Sequence, residues 1–208
     1  MGVCYIVGAG DFYGDLSPRD GDLLVAADGG YEKIAALGYT PSFLIGDFDS
    51  ISDMPSGIKT LRYPVEKDET DMQLAYNYGA SLGYTEFVIY GGVGGRDDHT
   101  FANYCLLLHI KNQGHNAKMI GNGTEISIVK NEKIEIFGKE GEGVSVFAFG
   151  SELAEGVTVR GLKYEASDIT LRADFALGVS NSFLALGRGE IEVKRGALLL
   201  IREAFPRR

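Results

Sequence analysis

Two hydrophobic rhythms divide the chain. In residues 1 to about 123, short apolar runs alternate with stretches of helical spacing. The runs Cys4–Val7, Leu23–Ala27, Phe43–Ile45, Thr60–Tyr63, Phe87–Tyr90 and Ala117–Ile120 read as strands. Tyr31–Leu37 reads as a short helix stopped by Gly38. From Thr70 onward, Met72, Leu74, Ala75, Tyr78 and Leu82 fall near one helical face, and Gly83 ends the pattern. Phe101–Ile110 is a third helix, with Phe101, Tyr104, Cys105, Leu108 and His109 spaced for a core. Strands alternating with helices predict an α/β domain: an N-terminal, mostly parallel sheet flanked by helices on both faces.

After Gly121-Asn122-Gly123 the helical period disappears. Glu125–Val129, Lys133–Phe137, Gly143–Phe149, Val157–Leu162, Ser167–Arg172, Phe183–Leu186, Glu190–Val193 and Ala197–Ile201 are short strands with turn signals between them. Ile191-Glu192-Val193-Lys194 alternates apolar with charged, as a half-buried strand does. The expected architecture is a C-terminal antiparallel β-sandwich over 124–208, joined to the α/β domain over 1–123. A sandwich of roughly 85 residues buries a small share of its surface, so it is expected to pack on the first domain or on a second copy. The basic end, Arg202 to Arg208, reads as a frayed, solvated tail.

Composition narrows the function classes. A net charge of −9 argues against non-specific nucleic-acid binding, which needs a basic footprint. It does not argue against nucleotides, whose charge a metal masks. The two cysteines, Cys4 and Cys105, form no CxxC, so neither a zinc ribbon nor a disulfide framework is expected. Both read as small buried hydrophobes in a reducing compartment. No basic leader precedes the first strand, and no apolar run approaches the ~18 residues of a membrane span. The expectation is a cytoplasmic protein.

The chemistry gathers where strands end. Gly46-Asp47-Phe48-Asp49-Ser50 follows the strand Phe43–Ile45. Two carboxylates at that spacing repel by about 1 kcal/mol in water at ~4 Å, and by about 4 at an effective dielectric of 20. A hard cation removes that cost, and Mg²⁺ favours one or two carboxylates plus substrate phosphates. Read alone, the same residues serve equally well as a solvated turn. The signature recurs, however. Asp28-Gly29-Gly30 ends the second strand, Lys67-Asp68-Glu69-Thr70-Asp71 precedes the second helix, and Gly91 to Thr100 follows the Phe87–Tyr90 strand. A parallel sheet puts all its strand C-termini on one edge, so these loops are expected to converge there. Thr70 or Asp68 suits a helix N-cap, whose amides favour phosphate. Gly94 and Gly95 allow close backbone approach to an anion, and Arg96 can grip phosphate oxygens. His99, beside Asp98, fits a structural hydrogen bond better than a general base. Gly8-Ala9-Gly10 lacks the third glycine of a dinucleotide fingerprint, since position 13 is Tyr13, and no GxxxxGK[ST] motif is present.

These motifs, in this order, resemble those of thiamine pyrophosphokinases. Asp28-Gly29-Gly30, Gly46 to Ser50, Lys67 to Asp71 and Gly91 to His99 carry the resemblance in the first half. Gly161-Leu162-Lys163-Tyr164 and Val179-Ser180-Asn181-Ser182 carry it in the second. The resemblance implies diphosphate transfer from ATP to the thiamine hydroxyl with release of AMP, and a homodimer with active sites between subunits. It implies that Asp28, Asp47, Asp49, Asp71 and Asp98 are catalytic, with Asp47, Asp49 and Asp71 holding Mg²⁺. It implies that Lys67, Asp68, Thr70, Gly94, Gly95 and Arg96 bind the ATP phosphates, and that Ser180, Asn181, Ser182 and Tyr164 bind thiamine. The chain has no Trp, so Tyr164 or a Phe must supply any stacking on the substrate. Two other classes fit the first-half motifs: a Mg-dependent nucleotide pyrophosphohydrolase, and a thiamine-diphosphate or nucleotide binding module without catalysis.

Overall fold

The computed structural model describes residues 2–46, 57–63 and 68–204. The chain forms two compact units, Met1–Gly121 and Asn122–Arg208. Among the described residues, no helix is long and apolar enough to cross a membrane.

Among the described residues, the first unit is built on six strands: β1 (Cys4–Val7), β2 (Leu23–Ala27), β3 (Phe43–Gly46), β4 (Lys59–Arg62), β5 (Glu86–Tyr90) and β6 (Asn116–Ile120). They lie in the order β6-β5-β1-β2-β3-β4. Every pair is parallel. Three helices among the described residues connect them: α1 (Gly30–Ala36), α2 (Asp71–Ser81) and α3 (Asp97–Asn112). The chain winds outward from β1 through β2 to β4, then restarts on the other side of β1 with β5. The topological switch point therefore lies between β1 and β5, where open α/β sheets bind ligands.

Alternation along the strands feeds both faces. Val7, Leu24, Ala26, Val88 and Tyr90 join a core with Ile34 of α1 and with Leu16. Leu16 lies in the helix-free connection between β1 and β2, which covers this face with side chains in place of a helix. Phe12 stacks on Tyr90, with centroids 5.0 Å apart. The Tyr90 hydroxyl donates to Asp15 O at 2.8 Å, and burial pushes its phenol up to about 12. On the opposite face α2 approaches closely at Gly79, where a Cβ would stand 2.8 Å from Cys4 Sγ. Thr70 caps α2, its Oγ1 accepting from Gln73 N–H at 3.2 Å. Such a cap is worth roughly 1 kcal/mol.

The buried faces of two helices differ from their sequence-based expectation. On α3 the buried residues are Asn103, Leu106, Leu107 and Ile110. Phe101 is 60% exposed, and Cys105 lies at the surface rather than in the core. The stretch Tyr104 to Leu108 is apolar all round, so spacing alone allows either face. Asn103 decides it, because its buried amide donates to Gly92 O at 2.8 Å. On α2, Tyr76 and Gly79 are buried with Met72, Leu74 and Ala75, while Leu82 is exposed.

The second unit has strands β7 (Thr124–Lys130), β8 (Lys133–Phe137), β9 (Gly143–Ala148), β10 (Leu153–Arg160), β11 (Ala166–Arg172), β12 (Asn181–Ser182), β13 (Arg188–Glu192) and β14 (Ala197–Glu203). They form two layers, β12-β9-β14-β7 and β11-β10-β13-β8. All pairs within them are antiparallel. The inward positions Val144, Val146, Val157, Val159, Leu171, Ile191, Leu198 and Leu200 form one core with Phe183. Each such side chain contributes about 1.5–3 kcal/mol on burial. Phe183–Leu186 is not a strand: Phe183 makes an isolated bridge to Leu162, and the chain then turns, Gly187 N–H donating to Leu184 O at 2.9 Å. Of the segment expected to fray, Arg202 belongs instead to β14, and residues 205–208 lie outside the described residues. The Arg202 guanidinium bonds Glu125 Oε1 from Nε (3.2 Å) and Nη2 (2.9 Å), and Phe137 O from Nη1 (3.1 Å).

Candidate active site

At the carboxyl edge of the parallel sheet, four chain segments meet. Asp28 leaves β2 in the left-handed region, with φ +46°. Its amide donates to Ile45 O at 2.8 Å, tying it to the end of β3. Gly46 lies against it, since a Cβ there would stand 3.3 Å from Asp28 Cα. Gly30 must be glycine for contact: a Cβ would reach within 1.8 Å of Val7 O, so α1 starts directly on the end of β1. Asp71, half-buried, occupies the first turn of α2. The next residue, Met72, packs on Gly8 just beyond β1, with Sδ 2.6 Å from a Cβ placed there. The first turn of α2 is thereby held at the edge that carries Asp28. Asp68 and Thr70, both exposed, precede it.

The loop after β5 completes the edge. Gly91, Gly94 and Gly95 have φ of +63°, +80° and +70°. Gly94, Gly95 and Arg96 are exposed. Exposed as it is, Arg96 grips Asp98, Nε to Oδ1 at 3.1 Å and Nη2 to Oδ2 at 2.6 Å. Asp98 Oδ1 also accepts from His99 N–H at 2.9 Å. The hydrogen bonds from Arg96 hold the Asp98 carboxyl below the ordinary carboxylate range, and Asp98 in turn raises the guanidinium. Both side chains are largely exposed, so the pair adds little stability. A phosphate that recruits Arg96 must compete with Asp98.

Asp47, Asp49 and Lys67 lie outside the described residues. Among the described residues, no three His, Cys, Asp or Glu side chains come together to hold a metal ion. Asp28 and Asp71 are hard oxygen donors at one sheet edge, a chemistry that fits Mg²⁺ and not a soft metal. Sequence reasoning passed over Asp11. Its signal was the one used elsewhere: a strand, then glycines, then an aspartate.

The second unit carries an apolar cavity of about 560 Å³. Val144 and Val146 of β9, Val157 and Val159 of β10, and Ile191 of β13 form its walls. Tyr164, Glu165, Val179 and Asn181 line it as well. Of the residues expected to hold thiamine, Tyr164 and Asn181 thus share one cavity. Ser180 and Ser182 line a neighbouring depression with Ser145 and Glu203. Asn181 uses both ends of its amide on the backbone: Oδ1 accepts from Tyr164 N–H (2.9 Å) and Ser182 N–H (2.9 Å), and Nδ2 donates to Tyr164 O (2.7 Å). Ser180 has φ +63°, and its N–H donates to Ser145 Oγ at 3.1 Å. Glu165 Oε1 accepts from Gly161 N–H at 2.8 Å. Asn181 and Glu165 together fold the Gly161–Glu165 segment into a tight turn, with Tyr164 60% exposed at its tip.

Comparisons with known proteins agree on one family. The model of the thiamin pyrophosphokinase catalytic domain matches residues 18–119. That of the thiamin pyrophosphokinase vitamin B1 binding domain matches residues 124–198. A curated relative, the thiamine pyrophosphokinase of Bacillus subtilis (strain 168), is 27% identical over 187 residues, covering 86% of each chain. The crystal structure of thiamine pyrophosphokinase from Bacillus subtilis superimposes with a TM-score of 0.88 at 25% identity, over 97% of this chain and 99% of that one. The thiamin pyrophosphokinase structure from Geobacillus thermodenitrificans gives a TM-score of 0.83 at 24% identity, over 97% of each. An α/β unit with an acidic, glycine-rich sheet edge and a β-sandwich unit are here the two parts of a transferase of the kinase class. The chain belongs to the thiamin pyrophosphokinase family, whose reaction forms thiamine diphosphate.

Proposed function

We propose that this enzyme transfers the diphosphate of ATP to the hydroxyl of thiamine, with Mg²⁺, and releases AMP. The observation that carries the proposal is the gathering of Asp28, the first turn of α2 and the Gly91–Asp98 loop at one sheet edge, the edge on which the topological switch point opens. The apolar cavity under Tyr164 and Asn181 supports an organic acceptor rather than water alone. A hydrolase has no use for such a cavity.

In this reading Asp28 and Asp71, with Asp47 and Asp49, hold the metal. Bound Mg²⁺ supplies charge neutralisation on the phosphate oxygens. The chain's own task is positioning, because phosphoryl transfer asks little covalent work of the protein. The α2 N-terminus, with Asp68 and Thr70, and the amides of Gly94 and Gly95 orient the triphosphate. Lys67 and Arg96 add positive charge, Arg96 once it leaves Asp98. One carboxylate of the edge accepts the alcohol proton as the oxygen attacks the β-phosphorus in line. Ser180, Ser182 and the Tyr164 turn hold thiamine, with Asn181 fixing that turn. The exposed apolar side chains Tyr164, Phe175, Leu177 and Val179 support a homodimer with shared sites, since patches of this kind mark interfaces.

The test is AMP release from ATP and Mg²⁺, with and without thiamine, followed by phosphorus NMR. Thiamine-dependent AMP with thiamine diphosphate as co-product is expected. AMP formed equally without thiamine would replace the proposal with a hydrolase.

A further inference from the structure

Asp11 brings one more carboxylate to the sheet edge, at the point where the glycine loop is anchored. Beyond their carboxyl ends, the segments after β1 and β5 are stitched together. Gly8 N–H donates to Tyr90 O (2.8 Å), Gly10 N–H to Gly91 O (2.9 Å) and Asp11 N–H to Val93 O (2.8 Å). Asp11 and Val93 form an isolated antiparallel bridge. Glycine is required for this closure, because a Cβ on Gly10 would stand 2.6 Å from both Gly91 O and Val93 O. The resulting register lays the Asp11 side chain on Gly94. A Cβ at position 94 would stand 2.3 Å from Asp11 Oδ2 and 2.6 Å from Cγ. The Tyr13 hydroxyl donates to the same oxygen at 3.1 Å, which holds the carboxylate in place and raises the phenol. The nearby cation, Arg96, is engaged by Asp98.

A fixed negative charge against a phosphate-binding glycine loop is unfavourable for a bare polyphosphate. It is far less so for a polyphosphate already neutralised in part by a divalent cation. We propose that Asp11 is a specificity-determining residue, which makes the site reject free nucleoside triphosphate in favour of its divalent-metal complex. The inference rests on the nucleotide reading of this sheet edge. Asp11 is exposed, and solvent and salt screen its charge, so its share of the discrimination is set at about tenfold, or about 1.4 kcal/mol.

The experiment is calorimetric binding of ATP to the full chain, once in EDTA and once in excess Mg²⁺. The quantity read is the ratio of the two dissociation constants. In wild-type protein, free ATP is expected to bind more weakly than the complex. Asp11→Asn, which is isosteric, is expected to reduce the ratio about tenfold, and Asp11→Ser serves as a second variant without the charge. Tyr13→Phe leaves the carboxylate and keeps the wild-type ratio. A ratio unmoved in both Asp11 variants overturns the assignment, since a merely structural residue weakens both forms alike. Wild-type protein that binds neither form overturns the nucleotide reading of the edge, and the role of Asp11 with it.

Discussion

Removing the Asn181 amide separates two roles that sequence cannot distinguish: reading the substrate and holding the turn that does. In the structure the amide makes three hydrogen bonds to backbone, two through Oδ1 and one through Nδ2. At a net ~1 kcal/mol each, their sum is about 3 kcal/mol. Tyr164 is 60% exposed, so water replaces part of what is lost, and about 2 kcal/mol is the expected cost of Asn181→Ala. For a chain of this length that lowers Tm by roughly 4–8 °C. Loosening the Tyr164 turn should raise KM for thiamine about fivefold, the equivalent of about 1 kcal/mol, and leave KM for the nucleotide unchanged. Asn181→Asp keeps an acceptor for Tyr164 N–H but sets a second oxygen against Tyr164 O, so it should lose nearly as much. Thermal unfolding and steady-state kinetics with each substrate varied in turn measure both effects. Wild-type stability with unchanged KM values would refute the reasoning. Wild-type stability with a large rise in thiamine KM would show that the amide contacts the substrate directly and does not brace the turn.

Other consequences are as direct. Gly91→Ala must place a Cβ 2.3 Å from Gly8 O at φ +63°, so urea unfolding should show a loss of about 3 kcal/mol or more. Gly95→Ala, in open space at φ +70°, should lose only the ~1–2 kcal/mol of left-handed strain. Because hydrogen bonds from Arg96 depress the Asp98 carboxyl, the pair's contribution is present above the unfolded carboxyl pKa of about 3.9 and fades as pH falls through the lower folded value. Carboxyl NMR should place the Asp98 midpoint below that of a free aspartate, and Arg96→Gln should return it; a midpoint indifferent to Arg96 would contradict the pairing. Burial pushes the Cys4 thiol up to about 12, whereas Cys105 is exposed. Alkylation at pH 8 followed by mass spectrometry should therefore label one thiol in the native protein and two after unfolding.

Much of the fold was legible in the sequence because its signals are local. An apolar run bounded by glycine and aspartate reads as a strand whatever surrounds it, and the change of period after Gly121 separates helix-bearing from all-strand chain. Thr70 announced its cap through chemistry confined to one helical turn. The strand ends also revealed the acidic edge, since a parallel sheet gathers its loops without regard to their details. Other features depended on contacts between distant segments. The buried face of α3 was undecided within Tyr104 to Leu108, and only Gly92, on another segment, selects it by accepting from Asn103. The Arg96–Asp98 pair is the exception, a local contact two residues apart that reading Arg96 as a phosphate ligand passed over. Asn181 read from its motif only as a substrate contact, and only the return of the chain beside Tyr164 shows that its amide also braces that turn. Asp11 resembled an ordinary loop residue until the bridge to Val93 laid its carboxylate on Gly94. Sequence by itself determined the periodicities and the caps, which are energies of neighbouring residues. Tertiary structure decided which polar groups pair, because a hydrogen bond across the fold depends on positions set by many residues at once.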